Sequence, residues 1–232
     1  MQRPQLSLPR TDGYEAEDAK QMLRQLVREA RAQRPEKERL AAARAFADHA
    51  LEAVGDARCV AAYVSQGSEP NSLEVLEALR RAGIRVLLPV LGPGLARTWG
   101  VYQGPDDLQV RAPGRPPEPS GEVLPAEAIA QADVVIAPAL AIDAAGTRLG
   151  QGGGWYDRVL RHARPGTPIF AMVYGEELVR DVLLPQAGHD APVTAVMTPE
   201  EWFLLEKSVF QTEALAEQAD EVASLEDDAT DR

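Results

Sequence analysis

The 232-residue sequence predicts one three-layer α/β/α domain built on a mostly parallel, Rossmann-like sheet. Three observations carry that expectation. Short apolar runs such as Val134-Val-Ile-Ala137 alternate with helical segments, the order that builds crossover units and a parallel sheet covered on both faces. The strongest of these runs, from Asp133 to Ile142, feeds a loop that holds five of the 18 glycines, between Gly146 and Gly154. That loop passes into Trp155-Tyr156-Asp157-Arg158, which reads as a helix start. A strand, a glycine loop and a helix N-terminus together make an anion site, because loop N–H groups and the helix end offer unpaired donors.

Residues 1–14, with Pro4, Pro9 and Gly13, read as a flexible lead. From Glu15 the chain is helical, with Met22, Leu23, Leu26 and Val27 on one apolar stripe and Lys20, Arg24 and Arg28 four apart on another face. Pro35 breaks this helix and a second is expected over 36–53. A buried strand is expected over 58–64. A helix capped by Asn71, with Glu74 at capping-box spacing and a buried face of Leu73, Val75, Leu76 and Leu79, then ends at Gly83. Strands are expected over 84–90 and near 98–102, then a Pro/Gly-rich stretch over 104–121 without regular pattern. A loop that long inside a compact domain is functional or disordered. A short helix over 125–131, a strand over 133–142, the glycine loop and its helix follow. A strand over 168–174, a helix over 176–184 and a strand over 193–197 close the domain, expected to span 15–206. Residues 207–232 are expected to be an acidic, disordered tail.

Composition excludes several function classes. A hydrophobic share of 45% and a charged share of 26% are ordinary for a globular chain. No apolar run approaches the roughly 20 residues that cross a bilayer, and the N-terminus lacks the apolar core of a signal peptide. The single cysteine, Cys59, allows neither an internal disulfide nor a cysteine zinc cage, so the cytoplasm is the expected compartment. The net charge of −12 is uneven: residues 211–232 hold eight acids and one arginine, and the remainder 28 acids and 23 bases. Nothing there supports nucleic-acid binding.

The glycine loop is neither a Walker A motif, for the chain contains no Gly-Lys pair, nor a dinucleotide fingerprint, since Trp155 stands where the third glycine belongs. Three consecutive glycines at 152–154 maximise the chain entropy lost on ordering, which points to a backbone that must approach a ligand closely. Asp157, at the helix start, and Asp190, in a later loop, are candidate Mg²⁺ carboxylates beside phosphates. Between residues 20 and 44 eight Lys/Arg stand against three Glu. That excess reads either as solvated helix surface or as a basic face aimed at an anion. Glu69 lies at a strand's C-terminal end, where open α/β sheets bind ligands, though spacing alone makes it an ordinary turn acid. His189 reads as a structural or surface histidine, and no Ser-His-Asp or Cys-His arrangement can be built.

The run Pro138-Ala-Leu-Ala-Ile-Asp143-x-x-Gly146-x-Arg148-Leu149-Gly150-x-Gly152-Gly153-Gly154-x-Tyr156-Asp157-Arg158 resembles the signature of 5-formyltetrahydrofolate cyclo-ligases, also called methenyltetrahydrofolate synthetases. Lys20-x-x-Leu23-Arg24, Tyr63 with Glu69, Glu118-Pro119, Leu184-Pro185, His189-Asp190 and Thr198 resemble other family positions in order, so the likeness covers roughly residues 18–200. Four positions depart from the usual pattern. Trp155 stands for Tyr, Gly153 for a lysine of some members, Glu177 for Gln and Thr194 for Asp.

The resemblance implies an ATP- and Mg²⁺-dependent enzyme, a ligase that converts 5-formyltetrahydrofolate, with or without a polyglutamate tail, into 5,10-methenyltetrahydrofolate through a phosphorylated formyl intermediate. It implies that Lys20, Arg24, Arg148, Leu149, Gly150, Gln151, Gly152, Gly153, Gly154, Trp155 and Tyr156 hold ATP. Glu69, Gly152, Gly153, Gly154 and Trp155 would hold the folate, Asp157 and Asp190 the metal, and Arg148 and Tyr156 would take part in catalysis. Small molecules are then the partners, with neither nucleic acid nor membrane, and the chain is expected to be a monomer. Two rivals stay open: another ATP-dependent enzyme on the same scaffold, and a folate- or nucleotide-binding paralogue without turnover.

Overall fold

A computed structural model of the chain describes residues 5–11, 13–92, 94, 96–188, 190–214 and 216. His189 and most of the acidic tail lie outside the described residues. Helix α1 (Ala16–Ala32) is followed by α2 (Glu36–Val54), and Pro35 takes the N-cap position of α2, where its missing N–H costs no intrahelical bond. The buried stripe of α1 is Ala19, Lys20, Leu23, Arg24, Val27 and Arg31. Met22 and Leu26, expected inside, are only half-buried; of the three cations expected on a separate face, Lys20 and Arg24 are inside and Arg28 is exposed.

Strand β1 (Cys59–Ala61) leads to α3 (Leu73–Arg81), and β2 (Arg85–Leu91) to β3 (Arg97–Val101). Ser72 rather than Asn71 is the N-cap of α3, its hydroxyl donating to the Tyr63 carbonyl at 2.7 Å, so the expected capping box does not form. Leu73 of the expected buried face is exposed. The stretch over 104–121 is not structureless: β4 (Leu108–Gln109) and β5 (Glu118–Pro119) pair as an antiparallel hairpin. Gly100 makes room for it, since a Cβ there would lie 3.0 Å from that of Pro119. Next come β6 (Val123–Leu124), a 3₁₀ turn over Ala126–Gln131, and β7 (Val134–Pro138).

The run expected as one strand over 133–142 divides. After β7 the chain turns into β8 (Ala141–Asp143), which pairs with β9 (Arg148–Leu149) in a second, three-stranded sheet. From Val134 to Ile142 the run is apolar and all but Pro138 is buried, so no change of periodicity marks the break. Helix α4 (Trp155–Val159) spans five residues and continues as one 3₁₀ turn. Beyond β10 (Ile169–Met172), the helix expected over 176–184 is absent. A 3₁₀ turn over Gly175–Glu177 enters β11 (Leu178–Val179), which pairs with β8. Tertiary pairing and the buried Arg31–Glu177 contact override the local helical pattern there. The chain closes with β12 (Ala195–Met197) and an unexpected antiparallel edge strand, β13 (Trp202–Leu204).

Among the described residues the main sheet has eight strands, ordered β13-β12-β10-β7-β1-β2-β3-β6. The five from β12 to β2 are parallel, and β13, β3 and β6 are antiparallel to their neighbours. Every residue of β1, β10's last three and β12 is buried, which requires cover on both faces. Strand order reverses between β1 and β7, and the crevice outside their C-terminal ends is where such sheets take ligands. The body does not end at 206: Phe210 and Ala214 are buried against Ile142, Val173 and Val196, so the expected tail begins inside the core. No described helix is long and apolar enough to cross a membrane.

Candidate active site

A cavity of about 350 Å³ opens at this strand-order reversal. Tyr63 and Val64 follow β1 into its wall and Pro138, the last residue of β7, faces them. Helix α1 supplies Lys20 and Arg24, the segment after β1 supplies Glu69, and the β9–α4 connection supplies Arg148 and residues 150–157. The hairpin segment adds Arg115, Pro116, Pro117 and Glu118. The expected site residues are thus brought to one cavity with a single exception. Leu149 does not line it, because its side chain is buried with Leu23, Val27 and Leu140 in a separate core cluster. In the β8–β9 hairpin alternate residues point to opposite sides, so Arg148 faces the cavity and Leu149 the core.

Asp143 shapes the glycine loop from below. It is fully buried, and its carboxylate accepts the N–H groups of Ala145 at 3.0 Å, Thr147 at 2.8 Å and Leu184 at 2.9 Å. Burial nevertheless pushes its pKa above the ordinary aspartate value, the three backbone donors opposing that rise. Gly146 has φ +82°, and a Cβ there would lie 2.6 Å from the Val193 carbonyl, so only glycine fits. Gly152, at φ +102°, would set a Cβ 3.4 Å from the Arg24 guanidinium carbon. The N–H groups of Gly152, Gly153 and Gly154 donate to no protein acceptor among the described residues.

Three cations converge beside that loop, each with a carboxylate partner. Lys20 pairs with Asp190, and Arg148 Nη2 donates to Asp157 Oδ1 at 2.6 Å. Arg24 donates from Nε to the Gly150 carbonyl at 3.0 Å and from Nη1 to Glu17 at 2.7 Å. Glu17 is 73% exposed, so its hold on Arg24 is weak, whereas the Arg148 side chain is 3% exposed. Arg148 Nε is buried without a hydrogen-bond partner. A buried donor left unmade costs about 1–3 kcal/mol, which an anion at this wall would relieve.

Asp157 and Asp190 sit on one rim, since Asp157 Oδ1 also accepts the Ala191 N–H at 3.4 Å. Two carboxylates with room for phosphate oxygens and water is the donor set Mg²⁺ accepts. Glu69 is tied to the glycine loop: Gln151 Nε2 donates to its Oε1 at 2.7 Å, and Arg28 holds the Gln151 carbonyl at 3.0 Å. Tyr156 is oriented otherwise than a catalytic hydroxyl. Its O–H donates to the Ala62 carbonyl at 2.9 Å and burial holds its pKa far above the usual phenol range, so the ring is what it offers the cavity. Trp155 packs edge-on against the buried Trp99 at 4.7 Å.

Sequence reasoning missed Glu17, Gln66, Pro89, Leu91 and Arg115 of the lining. The apolar pair reads only as strand, and the polar three have no motif. The irregular 104–121 stretch was the one signal for the hairpin wall.

Comparison with known proteins agrees with the geometry. Residues 16–199 match the model of the 5-formyltetrahydrofolate cyclo-ligase family. A 5-formyltetrahydrofolate cyclo-ligase of Mycolicibacterium smegmatis is 45% identical over 148 residues, 62% of this chain and 74% of its own length. One of Escherichia coli is 35% identical over 151 residues, 63% of this chain and 82% of its own. The solved 5,10-methenyltetrahydrofolate synthetase of Aquifex aeolicus superposes with a TM-score of 0.64 at 24% identity, covering 82% of this chain and 94% of that one. That of Mycoplasma pneumoniae gives 0.60 at 16%, covering 78% and 98%. These two likenesses speak to the fold, and both share the mixed α/β architecture.

Proposed function

The chain belongs to the 5-formyltetrahydrofolate cyclo-ligase family, and from that premise we propose that it is a ligase that closes 5-formyltetrahydrofolate to 5,10-methenyltetrahydrofolate at the expense of ATP. One observation carries the reading: a single cavity holds both the phosphate-type wall and Glu69, joined through the 2.7 Å Gln151–Glu69 hydrogen bond. A reaction between a nucleotide phosphate and a pterin substituent needs that adjacency.

In this proposal the γ-phosphoryl group passes from ATP to the formyl oxygen. N10 then attacks the formyl carbon and phosphate leaves with that oxygen. Phosphoryl transfer asks the protein for position and charge rather than covalent chemistry. Lys20, Arg24 and Arg148 take the triphosphate, with the free N–H groups of Gly152–Gly154. Glu69 accepts hydrogen bonds from the pterin N–H groups, and Trp155 and the ring of Tyr156 give it an apolar face. Triphosphate oxygens compete with Asp190 for Lys20 and with Asp157 for Arg148. The two carboxylates so released are the pair that would hold Mg²⁺, which supplies charge neutralisation at the phosphates.

The test is absorbance in the methenyl band with 5-formyltetrahydrofolate, ATP and Mg²⁺. The expected result is a band that grows only with all three present. ATP hydrolysed at one rate with and without the folate, and no band, would overturn the proposal in favour of another ATP-dependent enzyme.

A further inference from the structure

We propose that Gln151, aimed by Arg28, is an internal competitor for the pterin: its carboxamide holds the Glu69 oxygen that the pterin N–H groups need. The proposal rests on the folate reading above and adds what sets the affinity of that site.

Three segments meet in the contact. Gln151 lies in the glycine loop between β9 and α4, Glu69 follows β1, and Arg28 stands on α1. Gln151 Nε2 donates to Glu69 Oε1 at 2.7 Å. Its amide oxygen accepts from Arg28 Nη2 at 2.9 Å and from Nε at 3.3 Å, and its backbone carbonyl accepts from Nη2 at 3.0 Å. A guanidinium only donates and a carboxylate only accepts, so these neighbours admit one orientation of the amide. Arg28 thereby turns the NH₂ end toward Glu69.

Arg28 is given over to this contact. One helical turn earlier, Arg24 holds the Gly150 carbonyl but also pairs with Glu17. Among the described residues Arg28 makes no ion pair, and its hydrogen bonds all go to Gln151. It does not line the cavity, so it acts on a ligand there only through Gln151. Holding the amide in place beforehand also lowers the entropy lost when it docks on Glu69.

Each oxygen of Glu69 is engaged, but in different ways. Oε2 accepts the Gln66 N–H at 2.7 Å, within a turn that the Glu69 N–H closes on the Gln66 carbonyl at 3.1 Å. That bond is local to the turn and need not break. Oε1 is held by an exposed side chain from another segment, which a side-chain rotation withdraws without moving the backbone. The pterin edge, with its adjacent N–H donors, therefore competes with Gln151 and not with Gln66. A site that must open first binds with an apparent Kd raised by the inverse of its open fraction, the same factor for every ligand that uses Glu69.

Calorimetry of 5-formyltetrahydrofolate and of 6-methylpterin on the wild type, Gln151→Met, Arg28→Ala and the double variant tests this. Methionine keeps the side-chain length and removes the donor, and both replaced side chains are exposed, so the fold is kept. Each single variant should bind both ligands more tightly, with Kd lower by roughly threefold to tenfold and, within a variant, by one factor for the two. The double variant should match Gln151→Met, because without the amide Arg28 has nothing to aim. Kd for a non-hydrolysable ATP analogue should not move in Arg28→Ala. A folate Kd that is unchanged or raised in either single variant overturns the proposal, a rise marking a direct ligand contact. A gain for the folate without one for 6-methylpterin places the effect on the rest of the substrate and overturns it too. A shift for the ATP analogue in place of the pterin gain does the same. A wild type that binds neither pterin overturns the proposed function and the competitor together, whereas wild-type binding and turnover with no gain in the variants overturns the competitor alone.

Discussion

At the scale of single residues, the site rests on groups whose work differs from what their types suggest. Asp143 stands in the signature run yet points into the core, where its carboxylate collects three backbone N–H groups that nothing else satisfies. Asp143→Asn keeps one acceptor oxygen and turns the other toward Leu184 as a donor. It should therefore destabilise the protein by about 1–3 kcal/mol, read as a lower denaturant midpoint. Gly146→Ala should cost at least as much, because its Cβ meets the Val193 carbonyl in a left-handed backbone. Lys20 behaves in the opposite way: it is charged, yet 7% exposed, and among the described residues it pairs with Asp190 at the cavity rim. Lys20→Gln should raise KM for ATP roughly tenfold or more while changing KM for the folate little. An equal rise in both constants would show a general distortion of the site and not a lost phosphate contact.

Elements explain how these residues are aimed. Helix α1 buries Lys20, Arg24 and Arg31 on the side that apolar residues alone would be expected to fill. Arg31 and Glu177, each about 2% exposed or less, hold α1 to the turn before β11 through two hydrogen bonds of 2.6 and 2.7 Å. That pair replaces the helix expected over 176–184, since the chain must present Glu177 and then β11 to neighbours already in place. On the other side α3 is fixed to β3 by Glu77, whose carboxylate accepts from Arg80 at 2.9 Å and from the Tyr102 hydroxyl at 2.9 Å. The Arg80 bond foremost, with Tyr102 and the nearby charges, lowers its pKa from 4.5 to about 2. A lowered carboxylate contributes stability above its unfolded pKa and loses it as pH falls through the folded one. The stability difference between wild type and Glu77→Gln should therefore be full above pH 4.5 and shrink toward pH 2, a modest effect because the group is near solvent. A difference that stays flat over that range would mean that Glu77 acts by packing. Helix α4 corrects another expectation. At five residues its dipole would add little to the proposed anion site, where the buried Lys20, Arg24 and Arg148 stand beside the glycine loop.

For the whole molecule, the useful boundary lies where burial ends. Phe210 and Ala214 complete the second core cluster, so truncation after Lys207 should cost about 3–5 kcal/mol. Truncation after residue 216 leaves every described buried side chain in place and should change neither melting temperature nor turnover. Calorimetry on the two truncations separates core from tail, and equal stability of both would remove Phe210 from the core. The fold class was legible in the alternation of strand-like and helical runs, because both faces of a parallel sheet must be apolar. The glycine loop, Arg148, Asp157 and the Lys20–Arg24 spacing were legible because local backbone demands and a long signature write themselves into neighbouring residues. Glu69 was legible only through the resemblance, and Pro89 and Leu91 were not legible at all. Their meaning comes from β1, β2 and β3 lying side by side, a long-range pairing that leaves no mark in local spacing. The sequence by itself determined a mostly parallel α/β sheet and a glycine-rich junction between a strand and a helix. Only the tertiary structure decided that α1 turns Lys20 and Arg24 toward the cavity and that Tyr156 spends its hydroxyl on Ala62. The reason is physical: local propensity and period specify elements, whereas which charges are buried, paired or left over depends on which elements meet.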